Sequence, residues 1–437
     1  GGAVDVLAGS GNSAPSTQYT IITADGGVNG TFDSVSSNFA FLAPTLTYDE
    51  NNVYLELDRN GIDFDSIGGT PNERAAGQGV QSLDPGSAIY GAVLSLDIPS
   101  ARAAFDALSG EVHASAQSVL IEDSRFVREA AVDRLRDAFD AVGATLTPVM
   151  SYAEGGPALA PATTDGLAVW TRGFGAWGSW SSDGNAARLD RSTGGLLMGA
   201  DVPVGAWRFG VLTGYSYTSF DVKDRSSSGV SRNYHLGLYG GTQWGNLALR
   251  TGAAYTWHDL SFDRSVGFPG FSDQLAGGYS ADTAQAFAEL GYGFHAGNVA
   301  FEPFANLAYV SLSTDGFTER GGVAALKGKG MTTDATFTTL GVHASTDFDL
   351  GGIQATARGT LGWRHAFGNA TPKSTLSFAG GSPFSIAGVP IAMDAAVIEA
   401  GLDFGISRNA TLGLSYNGQF GSDVTDQSIR ANFSMKF

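Results

Sequence analysis

The sequence contains no cysteine, which excludes disulfides, thiolate catalysis and cysteine-held metals, and leaves bridges silent about compartment. It also lacks any uninterrupted apolar run of the length a transmembrane helix needs, so a membrane location would have to be built from strands. Charge is scarce and one-sided. Only 16% of the 437 residues are charged and the net charge is -18, which argues against nucleic acid as a partner, because phosphate binding needs clustered Lys and Arg. The six histidines are scattered without metal-ligand spacing, and neither a metal nor a cofactor is expected. Starting at Gly1, without a methionine or a signal peptide, the sequence is expected to be a fragment or a processed product.

Glycine and aromatics are abundant instead: 61 Gly, 27 Phe, 14 Tyr and 7 Trp, well beyond ordinary usage for a soluble domain. Three regions follow from pattern. Residues 1–68 hold short β-rich runs, YTIITA, FAFLAPTLTY and NNVYLELDRN, between turn residues. Residues 69–165 read as a helical linker, alanine-rich in NERAAGQGVQSL and PSARAAFDAL, with Pro99 at a helix start. Within it, a helix over about 110–142 carries apolar residues at Val112, Ala116, Val119, Phe126 and Ala130 and again at Val127, Ala131, Leu135 and Ala138, with Gly143 as its stop. Its other faces are charged, with Glu122, Asp123, Arg125, Arg128, Glu129, Asp133, Arg134, Arg136 and Asp137. The stretch TLTPVMSYAEGGPALAPATTD closes the region as a Pro-, Ala- and Gly-rich connector.

From residue 166 to 437 the period changes from helical to two. Ile353, Ala355, Ala357, Leu361 and Trp363 alternate with Gln354, Thr356, Arg358, Thr360 and Arg364, giving one lipid-like face and one polar face. Twelve such strands are expected, over about 167–180, 194–203, 206–219, 231–243, 246–259, 282–295, 299–312, 335–349, 353–367, 391–406, 410–421 and 426–437. Every second connection is tight, as in VGA, WGN, HAGN, LGG and SRN. The others are mostly long and polar, such as KDRSSSG, DRSVGFPGFSDQLAGGYS, STDGFTERGGVAALKGKGMTTD and GNATPKSTLSFAGGSPFSIAGVP. Short periplasmic turns alternating with longer external loops are the pattern of an outer-membrane barrel. Trp170, Trp180, Trp207, Trp244, Trp257 and Trp363 fall at strand ends, where interfacial girdles would sit. A soluble sandwich would hide such aromatics inside, and an open soluble sheet of this size would expose edges. The fold expected is mainly β: a 12-stranded antiparallel transmembrane barrel with an N-terminal pore-plugging helix and a short β-helix-like stump.

Gly173 to Gly178, GFGAWG, has the spacing of a dinucleotide-binding loop. That pattern cradles a pyrophosphate only between a strand and a helix, and here it lies inside LAVWTRGFGAWGSW, before a polar loop. The glycines read instead as close backbone approach or relief of curvature that makes room in the lumen.

Twelve tilted strands give a backbone radius of roughly 12 Å and a bore on the order of 10–14 Å, close to one helix diameter. The helix just upstream can therefore fill the lumen, its Glu122, Arg125, Arg128, Arg134 and Arg136 exposed to the wall. Its arginines are expected to meet Glu289, Glu302, Glu399 and Asp403, and its acids Arg172, Arg250, Arg358 and Arg430; solvated pore wall is the alternative for these positions. His113 reads as a lumen-facing polar residue rather than a catalytic one. In QSIRANFSMKF, Ile429, Ala431, Phe433, Met435 and Phe437 share one face, and Phe433, Met435 and the terminal Phe437 read as an outer-membrane assembly signal.

Taken in order, the β-rich stump, LSGEVHASAQSVLIEDSRFVREAAVDRLR, the connector, twelve alternating strands and terminal FSMKF resemble the C-terminal translocation unit of a monomeric autotransporter (type V secretion). The first 68 residues look like the last coils of a β-helical passenger. The resemblance implies an outer-membrane protein of a Gram-negative bacterium, assembled from the periplasm with the help of chaperones and the barrel-assembly machinery. It would sit in lipid as a monomer and export its own N-terminal passenger to the cell surface without nucleotide hydrolysis. The family's paired asparagines are missing from the pore helix, so cleavage at that motif is not expected, and Asn51 and Asn52 read as a turn. No G-x-S-x-G elbow or Ser/His/Asp arrangement is present, so no enzyme activity is expected of this chain. A passive porin with a periplasmic N-terminal region is the alternative, though it leaves the stump and the plug-length helix unexplained.

Overall fold

The computed structural model describes residues 1–9, 14–145, 147–153, 156–368, 370–407 and 410–435. Its largest element is an antiparallel meander of twelve strands. In chain order they are β1 (Leu167–Trp180), β2 (Leu189–Val204), β3 (Trp207–Val222), β4 (Ser227–Trp244), β5 (Leu247–Phe268), β6 (Phe271–Tyr292), β7 (Val299–Thr314), β8 (Met331–Leu350), β9 (Ile353–Gly368), β10 (Asp394–Ser407), β11 (Ala410–Gly421) and β12 (Val424–Met435). The meander closes on itself where β12 returns to β1, from Val424 opposite Trp180 to Ile429 opposite Gly175. Closure satisfies the backbone groups that a sheet edge would leave bare in hydrocarbon.

Two-residue alternation sorts side chains to the two faces of the wall. Leu236, Leu238, Tyr255, Trp257, Leu307, Tyr309, Leu340, Leu361 and Leu414 point outward and are exposed, whereas Arg250, Glu289, Glu302 and Arg364 point inward and are buried. Trp244, Trp257 and Trp363 are exposed as girdle residues would be. Trp170 and Trp180 are not, because they occupy inward positions of β1; Trp177, at an outward position, takes the surface place.

The cap end of the barrel departs from expectation. Of the connections read as long polar loops, DRSVGFPGFSDQLAGGYS is a continuation of β5 and β6, joined at Pro269 and Gly270, with Gly270 at φ 82°. Outward residues of β5 change from Tyr255 and Trp257 to Asp259, Ser261 and Asp263, so the lipid-facing belt stops near Trp257 and the hairpin runs on beyond it for roughly 35 Å of strand. The inner side of this extension buries Leu260, Phe262, Val266, Leu275 and Tyr279, with Arg264 as its charged member.

Two more presumed loops build a sheet of their own. Phe317–Thr318, Leu326–Gly328, Lys373–Phe378 and Phe384–Ala387 pair in that order, because short alternating runs such as KSTLSF and FSIA have an apolar side to bury. What they bury it against is the segment read as a linker. Helices α1 (Pro71–Gln81), α2 (Ala88–Leu94) and α3 (Ile98–Leu108) start at Thr70, Ser87 and Asp97, whose side chains each accept the N–H three residues on. Phe64, Val80, Leu94, Phe105 and Leu108 form one core with Phe41 on one side and Leu326, Leu376, Phe378, Phe384 and Ile386 on the other. Residues 64–108 are thus a packed cap between stump and barrel.

The stump itself pairs Ala3–Val6 with Ser34–Ser37 in parallel, as in a β-helix coil. Its remaining sheet, Ser16–Thr23, Asn52–Arg59 and Leu42–Tyr48, is antiparallel. Asn51 and Asn52 lie in the turn between the last two of these strands, where both N–H groups donate to Asp49 Oδ1 at 2.8 and 2.6 Å. At the short-turn end, the connector is not unstructured either. Val149–Ala153 and Gly156–Ala160 form a hairpin that adds to the start of β1 through Met150 opposite Val169 and Tyr152 opposite Leu167.

Candidate functional site: the helix in the barrel lumen

Helices α4 (Val112–Asp123) and α5 (Arg125–Ala138) run through the lumen end to end. All twelve residues of α4 are buried, which explains why its sequence shows no single apolar stripe: wall and loops enclose it on every side. The two helices part at Ser124. There Gln285 Nε2 donates to the Ser124 carbonyl at 2.9 Å, and Arg128 donates to the Ser124 hydroxyl at 3.0 Å. A wall side chain that captures a helix carbonyl is a recognised cause of a break. The helical stretch ends at Ala138 rather than at Gly143, because Asp140 already takes φ 50°.

Glycine permits two close approaches at the cap end. Gly110, just before α4, sits at φ 66°, and a Cβ there would stand 2.3 Å from Leu326 Cδ1. Gly388, in the loop between β9 and β10, lies flat against α4, where a Cβ would meet the Ala114 carbonyl carbon at 2.4 Å. Around these contacts the upper half of α4 is tied to loops: Ala187 N–H donates to Glu111 at 2.7 Å, Ser118 donates to the Val389 carbonyl at 2.5 Å, and Gln117 accepts from Thr333 at 2.7 Å. His113 faces the inner wall at the cap end of the lumen. It lies under the loop sheet, among Phe262, Tyr279 and Phe317, with Nε2 2.8 Å from Glu319, which Arg264 also holds at 2.7 Å.

Deeper in the lumen, ion pairs join helix to wall. Glu122 meets Arg364 through two bonds of 2.5 and 2.8 Å. Arg125 meets Asp426 at 3.0 Å, and Asp123 and Asp426 share Arg191 at 2.7 and 2.6 Å. Arg128 reaches Gln285 at 3.4 Å. Asp133 binds Arg172 at 2.6 Å and Arg430 at 3.0 Å, and Glu129 also pairs with Arg430. Arg136 meets Glu289 at 3.1 Å, and Arg134 grips Asp201 through two bonds of 2.7 and 2.8 Å. A narrow cavity of about 100 Å³ remains beside α5, lined by Asp133, Arg136, Thr360 and Glu399 among others.

Several expected partners are elsewhere. Glu302 pairs with Arg250 at 2.7 Å, and Glu399 and Asp403 pair with Arg358 at 3.1 and 2.8 Å. Arg358 of β9 meets both acids of adjacent β10, where opposed inward positions are closer than the helix, and Glu302 of β7 reaches across β6 to Arg250 of β5. Glu289 does both, binding Arg250 at 2.9 Å as well as Arg136. Asp201, Arg191, Arg364 and Asp426 were missing from the expected wall set; inward parity on β2, β9 and β12 is the sequence signal that marks them.

Glu289, Glu302 and His343 bring three possible ligand atoms within 4.8 Å. The positive charge at that point is already supplied by Arg250 and by Arg136, whose Nη2 lies 2.9 Å from His343 Nε2. The residues therefore fit a guanidinium cluster better than a cation site. Of the glycines of GFGAWG, Gly173 and Gly175 take outward positions with open space where a Cβ would be, and Gly178 alone faces the lumen at close quarters, its Cβ position 3.3 Å from Asp426 Oδ1. Phe433 and Met435 pair in register with Leu412 and Ala410 along β11, whereas Phe437 lies outside the described residues.

A closed strand barrel with an apolar outer belt and a charge-latched helix through its lumen defines an outer-membrane barrel that carries a polypeptide in its pore. Residues 169–417 match the Autotransporter beta-domain family, and the chain belongs to that family. Two proteins of Serratia marcescens named extracellular serine protease are 34% and 32% identical to it over 464 and 463 residues, covering 96% of this chain in each case. The chain spans 43% of the length of either. The translocator domain of the autotransporter NalP from Neisseria meningitidis superposes with a TM-score of 0.56 at 15% identity, covering 75% of this chain and 99% of that one, a likeness of fold. The chain is the outer-membrane translocator of a type V autotransporter, and it carries its own passenger polypeptide.

Proposed function

We propose that the cap end faces outside the cell, with residues 1–108 displayed at the surface as the last part of an exported passenger. The observation that carries this reading is the course of α4 and α5. The chain enters from the cap, descends the whole lumen and turns at the short-turn end to begin β1, which is the path left by a polypeptide threaded outward through the barrel. The filled lumen speaks against a passive channel, whose bore would have to stay open.

The barrel-assembly machinery is the partner we assign to β12, with Phe433, Met435 and Phe437 as the residues it reads, and periplasmic chaperones keep the unfolded chain soluble before insertion. Lipid covers the belt of exposed leucines, tyrosines and tryptophans, and the closed barrel acts as a monomer. In this reading the translocator performs no covalent chemistry. The name shared by the Serratia relatives points to proteolytic activity in the passenger preceding this sequence.

Fusing a signal peptide and an epitope tag ahead of Gly1 and treating intact Gram-negative cells with protease tests the orientation. Loss of the tag from a resistant barrel is expected. A protected tag on a folded, inserted barrel would sink the export reading and favour a porin.

A further inference from the structure

The short-turn end of the lumen holds a cluster that no other part of the pore repeats among the described residues. Asp201, near the end of β2, is wholly buried and binds two guanidinium groups at once: Arg134 of α5 and Arg208 of β3. Its Oδ2 also accepts from the Tyr239 hydroxyl at 2.7 Å, which in turn accepts from Trp170 Nε1 at 2.7 Å. Each arginine then reaches past the carboxylate to the connector. Arg134 donates to the Ala162 carbonyl at 3.0 Å, and Arg208 donates to the Thr164 carbonyl at 2.8 Å and to that of Gly166 at 3.4 Å. Thr164 further bonds Ser151 of the hairpin at 2.8 Å.

One acid thus ties together the last turns of the plug helix, the reversing connector and four barrel strands, β1 to β4. Asp137, paired with Arg172 at 3.5 Å, also accepts from the Thr145 N–H at 2.7 Å just past the helix; among the described residues the Asp201 cluster is the one that ties the helix to the far end of the connector, residues 162–166. A bidentate grip by a planar guanidinium has a single geometry, so it defines one axial position of the helix and no other.

We propose that Asp201 is the positioning residue that arrests translocation: it stops the outgoing chain when Arg134 arrives, and it holds the connector across the short-turn mouth. The proposal rests on the export reading above. Before the helix arrives, Arg208 balances the charge of Asp201 through Oδ1 alone, and the carboxylate keeps lone pairs on both oxygens to accept from a second guanidinium.

Because the chain has no native cysteine, Ala162→Cys gives a single label site whose backbone carbonyl still accepts from Arg134. The maleimide reaction rate of that cysteine is measured in folded, membrane-inserted full chain, with and without Asp201→Asn. The expected result is an increase in rate of about tenfold in Asp201→Asn, recovery with Asp201→Glu, and unchanged heat-modifiable mobility of the barrel. A rate within twofold of the parent, in a folded barrel, overturns the proposal. If Asp201→Asn fails to insert, Arg134→Gln gives the same reading, since it leaves the Asp201–Arg208 pair of the wall in place; an unchanged rate there overturns the proposal equally. The surface tag is scored in the same cells: a protected tag in the unsubstituted protein defeats the export reading, while an accessible tag with an unchanged cysteine rate defeats only the arrest.

Discussion

Glu122 and Arg364 are both buried and hold each other through two hydrogen bonds. Arg364→Ala leaves the buried Glu122 carboxylate without its hydrogen-bonded counter-ion, and the expected loss is about 3–5 kcal/mol, whereas pairing it with Glu122→Gln recovers much of that. Thermal loss of the heat-modifiable form across the four members of this cycle measures it; additive effects would show that the pair is not coupled. At the cap, two acids respond to pH with opposite sign. Burial pushes the Glu111 carboxyl up to about 7 from its usual 4.5, although Arg225 and the Ala187 N–H favour its charge. Its contribution is complete below about pH 4.5 and fades as pH rises through 7. Burial also disfavours charge on Glu319, but His113 and Arg264 outweigh it and hold the carboxyl at about 2, so its contribution is complete above pH 4.5 and is lost as acid approaches pH 2. Hydrogen exchange in α1–α3, corrected for intrinsic rates, should therefore quicken from pH 4.5 to 7, and Glu111→Gln should flatten that rise. A slope that survives the substitution would show another group to be responsible.

Among the elements, the loop sheet shares one buried core with the cap helices. Phe384, 4% exposed, packs on Phe378 and against α1 at Gly79, where a Cβ would stand 2.5 Å from its ring. Phe384→Ala is expected to weaken cap docking by about 3–5 kcal/mol, seen as protease cleavage between residues 64 and 108 while the barrel stays resistant. Cleavage at parental rate would mean the cap is held by other contacts. How much of this was legible varies by element. The barrel strands were, because period-two alternation needs no tertiary partner to be visible. The loop strands were hidden: runs of three to six residues such as LKG and FSIA carry too few alternations to stand out from a polar, glycine-rich background. Helix α5 was legible as a charged helix, but which wall residue each arginine meets depends on inward parity and strand stagger together.

For the molecule as a whole, the prediction concerns sidedness. Ser272, near the tip of the β5–β6 hairpin, and Asn246, in the turn between β4 and β5, are both exposed and lie at opposite ends of the barrel. With no native cysteine to interfere, Ser272→Cys should react with a membrane-impermeant maleimide on intact cells, and Asn246→Cys only after the outer membrane is opened. The reverse pattern would invert the orientation. The same architecture accounts for the acidic excess being harmless: within the lumen Glu122, Arg125, Asp133, Arg134 and Arg136 of the helix each meet an opposite charge on the wall, and surplus acids lie on exposed stump, loop and hairpin positions such as Asp5, Asp25, Asp259 and Asp263.

Sequence alone determined the membrane strands, their number and order, the presence of a plug-length helix and the family, since alternation, tight turns and helical spacing are local properties written residue by residue. Tertiary structure decided the rest. Whether Glu302 meets the helix or Arg250, whether Trp170 faces lipid or Asp201's neighbour Tyr239, and whether residues 71–108 trail as a linker or pack as a cap all depend on distances across the closed barrel. Those distances exist only once β12 has met β1 and the helix has come to rest.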